Sequence, residues 1–191
     1  ILVFLPGQGE IRRVEDSLVL ELHSRKISDV QLRTLYGNLS LEAQQAAIAP
    51  VQNAGERKIV LATNIAETSL TIEGVDVVID TGLAREPVFD PTSGMTRLHT
   101  RKISQASSTQ RMGRAGRLRP GKCYRLWSKS QQDQMAPHAT PEILNADLTP
   151  LALQLLQWGI DDPKELAWLD PPGSGPWQQA VSLLMKLGAL V

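Results

Sequence analysis

The sequence predicts an α/β fold in which helices cover both faces of a parallel β-sheet. Apolar stretches rich in β-branched residues recur through the first half of the chain, at residues 1–5, 30–35, 59–62 and 75–79. Helical patterns lie between them, and strands that alternate with helices form βαβ units with right-handed crossovers. The strands are continuously apolar, which is typical of a sheet that is covered on both faces.

The first helix is predicted between residues 5 and 30, where apolar residues recur three or four positions apart. These residues are Ile11, Val14, Leu18 and Leu22. A second helix is predicted before the strand at 59–62, because Ser40 is a suitable N-cap and Pro50 cannot continue a helix. That helix should extend to about Ala49.

Beyond residue 79 the pattern changes to a β-hairpin. Residues 87–102 contain two strand-like segments around the turn sequence Asp-Pro-Thr-Ser-Gly, so a projecting hairpin is expected there. A short helix is predicted to begin near Gln110, capped by one of the hydroxyl residues at 107–109. Residues 122–127 return as a strand.

The chain then divides into two parts. The sheet domain is predicted at residues 1–128, followed by a polar linker at 129–141 and a small α-helical unit at 142–191. The first helix of that unit is marked by Leu148, Leu151, Leu155 and Leu156. The second is predicted at 177–187, after a rigid segment of proline and glycine.

Composition restricts the class of protein. The chain has 191 residues, zero net charge and a single cysteine, Cys123, which excludes an internal disulfide. A lone thiol fits a reducing compartment, and we expect a cytoplasmic protein. No apolar run is long enough for a membrane span, and the scattered histidines predict no metal site. The chain starts with an apolar strand and without methionine, which indicates a piece of a longer protein.

The charges are segregated along the chain. Residues 85–125 contain ten Lys and Arg against two acidic residues, whereas residues 133–175 contain seven acidic residues against one Lys. This segregation indicates a basic surface that could meet nucleic acid, although a solvated charged face would also explain it.

The sequence Gln-Arg-Met-Gly-Arg-Ala-Gly-Arg at residues 110–117 carries the strongest chemical signal. On a helix, Gln110, Arg114 and Arg117 would share one face. An amide can orient a water molecule, and guanidinium groups pair with phosphate oxygens. The pattern therefore suits phosphoryl transfer, in which arginines stabilise the developing charge. The alternative is an Arg-rich helix with surface ion pairs, which would not require the two glycines.

The polar segment at residues 63–74 is the second signal. It follows the buried strand at 59–62, and ligands of parallel sheets bind at the carboxyl ends of strands. Hydroxyl and amide groups there can hold phosphates together with backbone N–H groups. Considered alone, the segment could also be a simple loop or a helix cap.

Together these segments resemble the second RecA-like domain of DEAH/RHA-type superfamily 2 helicases. Residues 1–7 look like motif IV of that family, residues 63–74 like motif V and residues 110–117 like motif VI. Residues 142–191 resemble the start of the winged-helix domain that follows in the family. The resemblance covers essentially the whole chain and implies a RecA-like sheet with a projecting hairpin, here at 87–102, that would act as a wedge at a duplex junction.

The resemblance also implies residue roles. Gln110 would position the attacking water, and Arg114 and Arg117 would meet the nucleotide phosphates. The residues implied to touch the nucleic-acid backbone are Gly7, Thr63 and Asn64. The residues implied to contact the nucleotide are Ser69, Thr71 and Glu73, and Ser69 would also couple the two sites. Position 73 is Glu where many relatives carry Asp.

Other parts of such a motor are not found in this sequence, which has neither a G-x-x-x-x-G-K-[ST] loop nor a DEAH-like acidic box. We expect ATP to bind against a preceding RecA-like domain that supplies the phosphate cradle and most Mg²⁺ ligands, so the fragment alone should be inactive. The expected partner is single-stranded nucleic acid, with RNA favoured over DNA and no membrane or disulfide partner. The alternatives are a catalytically silent nucleic-acid scaffold of the same fold and a RecA-like ATPase that acts on proteins.

Overall fold

The computed structural model describes residues 1–53, 55–67, 72–117 and 119–190. The chain forms two compact units. The first comprises Ile1–Arg85 and Thr100–Ala139, and the second comprises Glu86–His99 and Thr140–Val191. None of the described helices combines the length and the apolarity needed to cross a bilayer.

The elements alternate along the chain as predicted. The strands are β1 (Leu2–Phe4), β2 (Val30–Leu35), β3 (Arg57–Ala62), β4 (Val77–Asp80), β5 (Leu83–Asp90), β6 (Met95–Lys102) and β7 (Lys122–Arg125). The helices are α1 (Gln8–Ser24), α2 (Leu41–Ile48), α3 (Gln105–Met112), α4 (Lys129–Asp133), α5 (Thr149–Gln157) and α6 (Ser174–Lys186). Short 3-10 turns lie at Asn64–Ala66, Glu142–Leu144 and Pro163–Glu165.

The core of the first unit is a five-stranded parallel sheet in the order β2-β3-β1-β4-β7. One face packs with α2 in a core that includes Leu2, Phe4 and Ala47. The other face packs with α1 in a core that includes Val3, Leu5 and Ile11. Burial of each large apolar side chain stabilises the fold by about 2 kcal/mol. The predicted α/β class, with helices on both faces of a parallel sheet, is therefore confirmed.

Side-chain hydrogen bonds stabilise both ends of α2. The Ser40 hydroxyl accepts a hydrogen bond from the Ala43 N–H at 3.3 Å, as the N-cap prediction requires. At the other end, the Lys58 ammonium donates to the carbonyls of Ala47 and Ala49, where a cation is favourable at a helix C-terminus. Burial lowers the pKa of Lys58, and the charge of Arg33 lowers it further.

The hairpin of β5 and β6 is confirmed, but the prediction for α3 is wrong in two respects. The helix begins at Gln105, because Ser104 rather than a residue at 107–109 caps it by accepting from the Ser107 N–H at 3.1 Å. It also ends at Met112. Gly113 is its C-cap, and Gly116 has a φ of 82°, a conformation that favours glycine. Gln110, Arg114 and Arg117 therefore do not share one helix.

The segment predicted as a linker contains α4. Ser128 and Gln131 form a capping box, in which the Gln131 N–H donates to the Ser128 hydroxyl at 3.2 Å and the Ser128 N–H donates to the Gln131 side chain at 2.9 Å. Polar composition suggested a loop, but a capping box supports a helix even when it is short. Within the first unit, Met135 is buried in a small core with Ala84 and Ile103.

The second unit has its own core. Helices α5 and α6 bury Leu148, Ala152, Leu155, Trp177, Ala180 and Leu184. The Phe89 N–H donates to the Asn145 carbonyl at 2.9 Å and joins the tip of the hairpin to this unit. The two predicted helices are confirmed, whereas the domain limits at 128 and 142 and the winged-helix assignment stay predictions.

Candidate functional site

The three central strands of the sheet end level with one another. Phe4 lies opposite Ala62 on one side and Asp80 on the other. The segments that follow β1 and β3 therefore start at the same edge of the sheet, the carboxyl edge. Gly7, Thr63 and Asn64 lie in these segments, so the structure places the three residues predicted to touch nucleic acid at a common edge.

These three residues differ in exposure. Asn64 is exposed and Thr63 is half-buried, and the Thr63 N–H donates to the Leu35 carbonyl at 3.1 Å. Gly7 is buried at the start of α1, where a Cβ atom would lie 2.6 Å from Nη1 of Arg85. The missing side chain therefore makes room for Arg85, which sequence analysis had not connected with Gly7.

Arg85 is held in this place by a carboxylate. Its Nη2 donates to Oε1 of Glu10 at 3.1 Å, in the first turn of α1. The arrangement leaves a guanidinium group, 36% exposed, against the backbone of Gly7. A guanidinium group and the N-terminus of a helix both carry positive charge, so together they favour binding of an anion such as a phosphate group.

Arg111 of α3 is the most buried cation of the site, with a side chain that is 0% exposed. Its Nη1 donates to Asp80 Oδ1 at 2.9 Å and to the Leu83 carbonyl at 3.2 Å, and its Nε donates to Glu67 Oε2 at 3.0 Å. The guanidinium also lies over the ring of Phe4, 4.7 Å from the centroid. A buried charge needs such partners, because its desolvation is costly.

Sequence analysis missed Arg111, although a signal was present. Ser104, Ser108 and Arg111 lie four and three positions apart, and all three are buried. Small hydroxyl residues at helical spacing in front of an arginine indicate a buried polar face of the helix. The pattern was not recognised because the helix was predicted to begin five residues too late, near Gln110 instead of at Gln105, so Ser104 and Ser108 were not placed on it.

Glu67 joins the polar segment after β3 to α3 and to the turn that follows it. Its carboxylate accepts from the Ser107 hydroxyl at 2.6 Å and from Arg111. Its backbone carbonyl accepts from Arg114 Nε at 3.0 Å and also from Arg114 Nη2. Sequence analysis did not single out Glu67, because a contact between residues forty positions apart leaves no local pattern.

Arg114 and Arg117 are close in space although they lie beyond the helix. Arg114 is buried, at 7% exposure, and Arg117 is exposed. Burial lowers the pKa of Arg114, the positive charge of Arg117 lowers it further, and Glu67 opposes both effects. Since arginine stays protonated, the two groups form a concentrated positive charge that a phosphate would relieve. Gln110 is exposed in the last turn of α3.

The turn that carries Arg117 packs against Gly121, where a side chain would not fit. A Cβ atom at Gly121 would lie 2.5 Å from the Gly116 nitrogen. The Gly116 N–H donates to the Val75 carbonyl at 3.3 Å, just before β4 starts. Arg117 therefore lies beside the segment that contains Glu73, towards the amino edge of the sheet.

Comparisons with known proteins show the family of this chain. The family described as "Helicase conserved C-terminal domain" matches residues 1–119. The chain belongs to this family. It is 53% identical over 190 residues to the ATP-dependent RNA helicase HrpB of Escherichia coli strain K12, with 100% of this chain and 23% of that protein covered. It is 40% identical over 193 residues to "Probable ATP-dependent RNA helicase DHX34" of Homo sapiens, with 100% of this chain and 16% of that protein covered.

Solved structures support the same family. A crystal structure of the Escherichia coli DEAH/RHA helicase HrpB matches with a TM-score of 0.90 and 53% identity, over 100% of this chain and 24% of that chain. The predicted resemblance to DEAH/RHA helicases is therefore confirmed. This helicase C-terminal domain spans about a quarter of the length of the Escherichia coli relative.

The remaining nucleotide candidates of this helicase C-terminal domain are only partly described. Ser69 and Thr71 lie outside the described residues. Glu73 is exposed and lines a groove of about 560 Å³ at the amino edge of the sheet, together with Asp76 and Arg119. Within the described ranges, no three His, Cys, Asp or Glu side chains come together as a metal site.

Proposed function

We propose that this helicase C-terminal domain is the second RecA-like motor half of an ATP-dependent helicase, which couples NTP hydrolysis to translocation on single-stranded nucleic acid. The observation that carries the proposal is the positive charge of Arg114 and Arg117 in a turn that is hydrogen-bonded to the loop after β3. The names of the relatives, which are ATP-dependent RNA helicases, support the motor over a catalytically silent scaffold and favour RNA over DNA.

The nucleotide end of the proposed site consists of residues from two segments. Arg114 and Arg117 would pair with phosphate oxygens, and their stabilisation would grow as charge develops on the transferred group. Gln110 would orient the attacking water. Ser69, Thr71 and Glu73 would contact the rest of the nucleotide.

The chain supplies only part of the groups that this chemistry needs. ATP would bind against a preceding RecA-like domain, which would supply the phosphate cradle and most ligands of Mg²⁺. Mg²⁺ would neutralise the phosphate oxygens. The guanidinium groups of Arg114 and Arg117 are consistent with this arrangement, because guanidinium groups bind phosphate and do not bind metal ions. The protein would act in the cytoplasm.

The nucleic-acid end would lie at the carboxyl edge of the sheet. Gly7, Thr63 and Asn64 would contact sugar and phosphate groups, which position a strand without selecting bases. Exposed basic residues of the segment 85–125, such as Arg101 and Lys102, would add attraction that does not depend on the base sequence. Binding should therefore weaken steeply as salt concentration rises.

The proposal is tested with the full-length protein by measuring ATPase rates with single-stranded RNA, with single-stranded DNA and without nucleic acid. We expect stimulation by RNA, and a loss of about a hundredfold or more in kcat for Arg114→Ala and Arg117→Ala. Arg25→Ala is the matched control, because Arg25 forms an exposed ion pair with Glu21 and is not among the residues assigned to either ligand. A stimulated wild type whose rate is unchanged by Arg114→Ala and Arg117→Ala would contradict the assigned roles. A protein that binds RNA without turnover would instead be the silent scaffold.

A further inference from the structure

We propose that Glu67 is a positioning residue that holds Arg114 in its working direction and links it to the nucleic-acid end of the site. This inference rests on the proposed function and adds to it a mechanical link between its two ends. Glu67 would act through the Arg114 side chain and would not itself need to touch either ligand.

The Glu67 carboxylate is held by α3 through both of its oxygens. One oxygen accepts from the Ser107 hydroxyl at 2.6 Å and the other from Arg111 Nε at 3.0 Å. The side chain is 13% exposed, so water competes little for these bonds. Arg111 is itself anchored to Asp80 at 2.9 Å, which connects Glu67 to the end of β4.

The backbone of Glu67 orients Arg114. The Glu67 carbonyl accepts from both Nε and Nη2 of Arg114, which are adjacent nitrogens of one guanidinium group. Two bonds to one oxygen restrict the plane of the guanidinium and its direction. Because the carboxylate is held by α3, the carbonyl of the same residue cannot turn freely.

The residues that precede Glu67 in the sequence connect it to the nucleic-acid end of the proposed site. It directly follows the 3-10 turn Asn64–Ala66, and its N–H donates to the Asn64 carbonyl at 2.9 Å. A nucleic-acid strand that moves Thr63 and Asn64 would therefore move the Glu67 carbonyl as well, and with it Arg114. The link gives a physical route by which nucleic acid can change the rate of hydrolysis, with Glu67 as its shared part.

The experiment uses the full-length protein and RNA-stimulated ATPase. For Glu67→Gln we expect kcat at saturating RNA to fall about tenfold, because a misplaced catalytic group costs rate. The KM for ATP should change less, and the stimulation by RNA should decrease with kcat. Ser107→Ala, which removes only one donor to the carboxylate, should act in the same direction with a smaller effect. Glu56→Gln is the matched control, because Glu56 accepts from Gln31 and Asn53 far from α3.

A double-mutant cycle separates positioning from a general structural role. If Glu67 acts through Arg114, the effect of Glu67→Gln on kcat should largely disappear when Arg114 is already lysine, which cannot make the paired bonds. Equal effects of Glu67→Gln with arginine and with lysine at 114 would overturn the inference and leave the proposed function intact. Unchanged kcat and RNA stimulation in both Glu67→Gln and Ser107→Ala would do the same. A wild type without RNA-stimulated turnover would overturn the proposed function, and this inference with it.

Discussion

Replacement of Asp80 by alanine is expected to destabilise the first unit strongly, because it removes a partner from the buried Arg111. Both side chains are 0% exposed, and Arg111 Nη1 lies 2.9 Å from Asp80 Oδ1. The same oxygen accepts the Gly82 N–H at 2.9 Å, so alanine also removes an acceptor from a backbone donor. Loss of one partner from a buried ion pair costs about 3–5 kcal/mol.

For Asp80→Ala, the structure favours the lower end of this range of free energy. Glu67 still accepts from Arg111 Nε at 3.0 Å in the variant, so the arginine keeps one carboxylate partner. We therefore expect a loss near the lower end, about 3 kcal/mol of the free energy of unfolding. Asp76→Ala is the matched control, because Asp76 and Arg119 form an ion pair whose side chains are 40% and 69% exposed. An exposed pair contributes about 0–1 kcal/mol.

The assay is urea unfolding followed by tryptophan fluorescence, with wild type and both variants measured side by side. With a slope of about 2 kcal/mol per molar urea, Asp80→Ala should lower the midpoint by about 1.5 M. Asp76→Ala should lower it by about 0.5 M or less. Similar midpoints for the two variants would show that burial of the Arg111 network contributes little, and the reasoning would be refuted.

The purified 191-residue chain should show no measurable ATPase activity with or without RNA, since it lacks the G-x-x-x-x-G-K-[ST] loop; turnover by this fragment would contradict the division of the site between two domains. Hydrogen bonds from Arg119 lower the pKa of Asp76 below its ordinary value of 3.8, so its contribution to stability is complete above that pH and is lost as the pH falls below it. In an acid titration of thermal unfolding, Asp76→Asn should lose less stability below pH 3.8 than wild type, and identical titration curves would show that the pair does not contribute.

Local sequence patterns determined most of the fold. Periodicity of apolar residues predicted the order of strands and helices in the first unit, because a strand buried on both faces and an amphipathic helix have different spacings. Side-chain chemistry also predicted single contacts, such as the cap of α2 by Ser40. The boundary of α3 was missed, since Ser104 and the residues at 107–109 are all suitable caps and sequence alone does not rank them.

The candidate site was predicted only in part. The segments at 63–74 and 110–117 were recognised, and the structure brings them together through hydrogen bonds to Glu67. Their supporting residues were not recognised, because Arg111 and Glu67 are defined by what they contact across the fold. The helical face predicted for Gln110, Arg114 and Arg117 was wrong, because Gly113 ends the helix and Gly116 has a positive φ.

The sequence by itself determined that the chain forms a parallel sheet with helices on both faces and carries the motifs of a helicase C-terminal domain. Both depend only on residue type and on the spacing of residues that are close in sequence. Only the tertiary structure decided that Arg111 and Arg114 are buried, that Arg117 is exposed, and that the Glu67 carboxylate connects the two segments. Those choices depend on desolvation and on contacts between residues more than forty positions apart, such as Arg111 with Glu67, and such contacts leave no periodic trace in the chain.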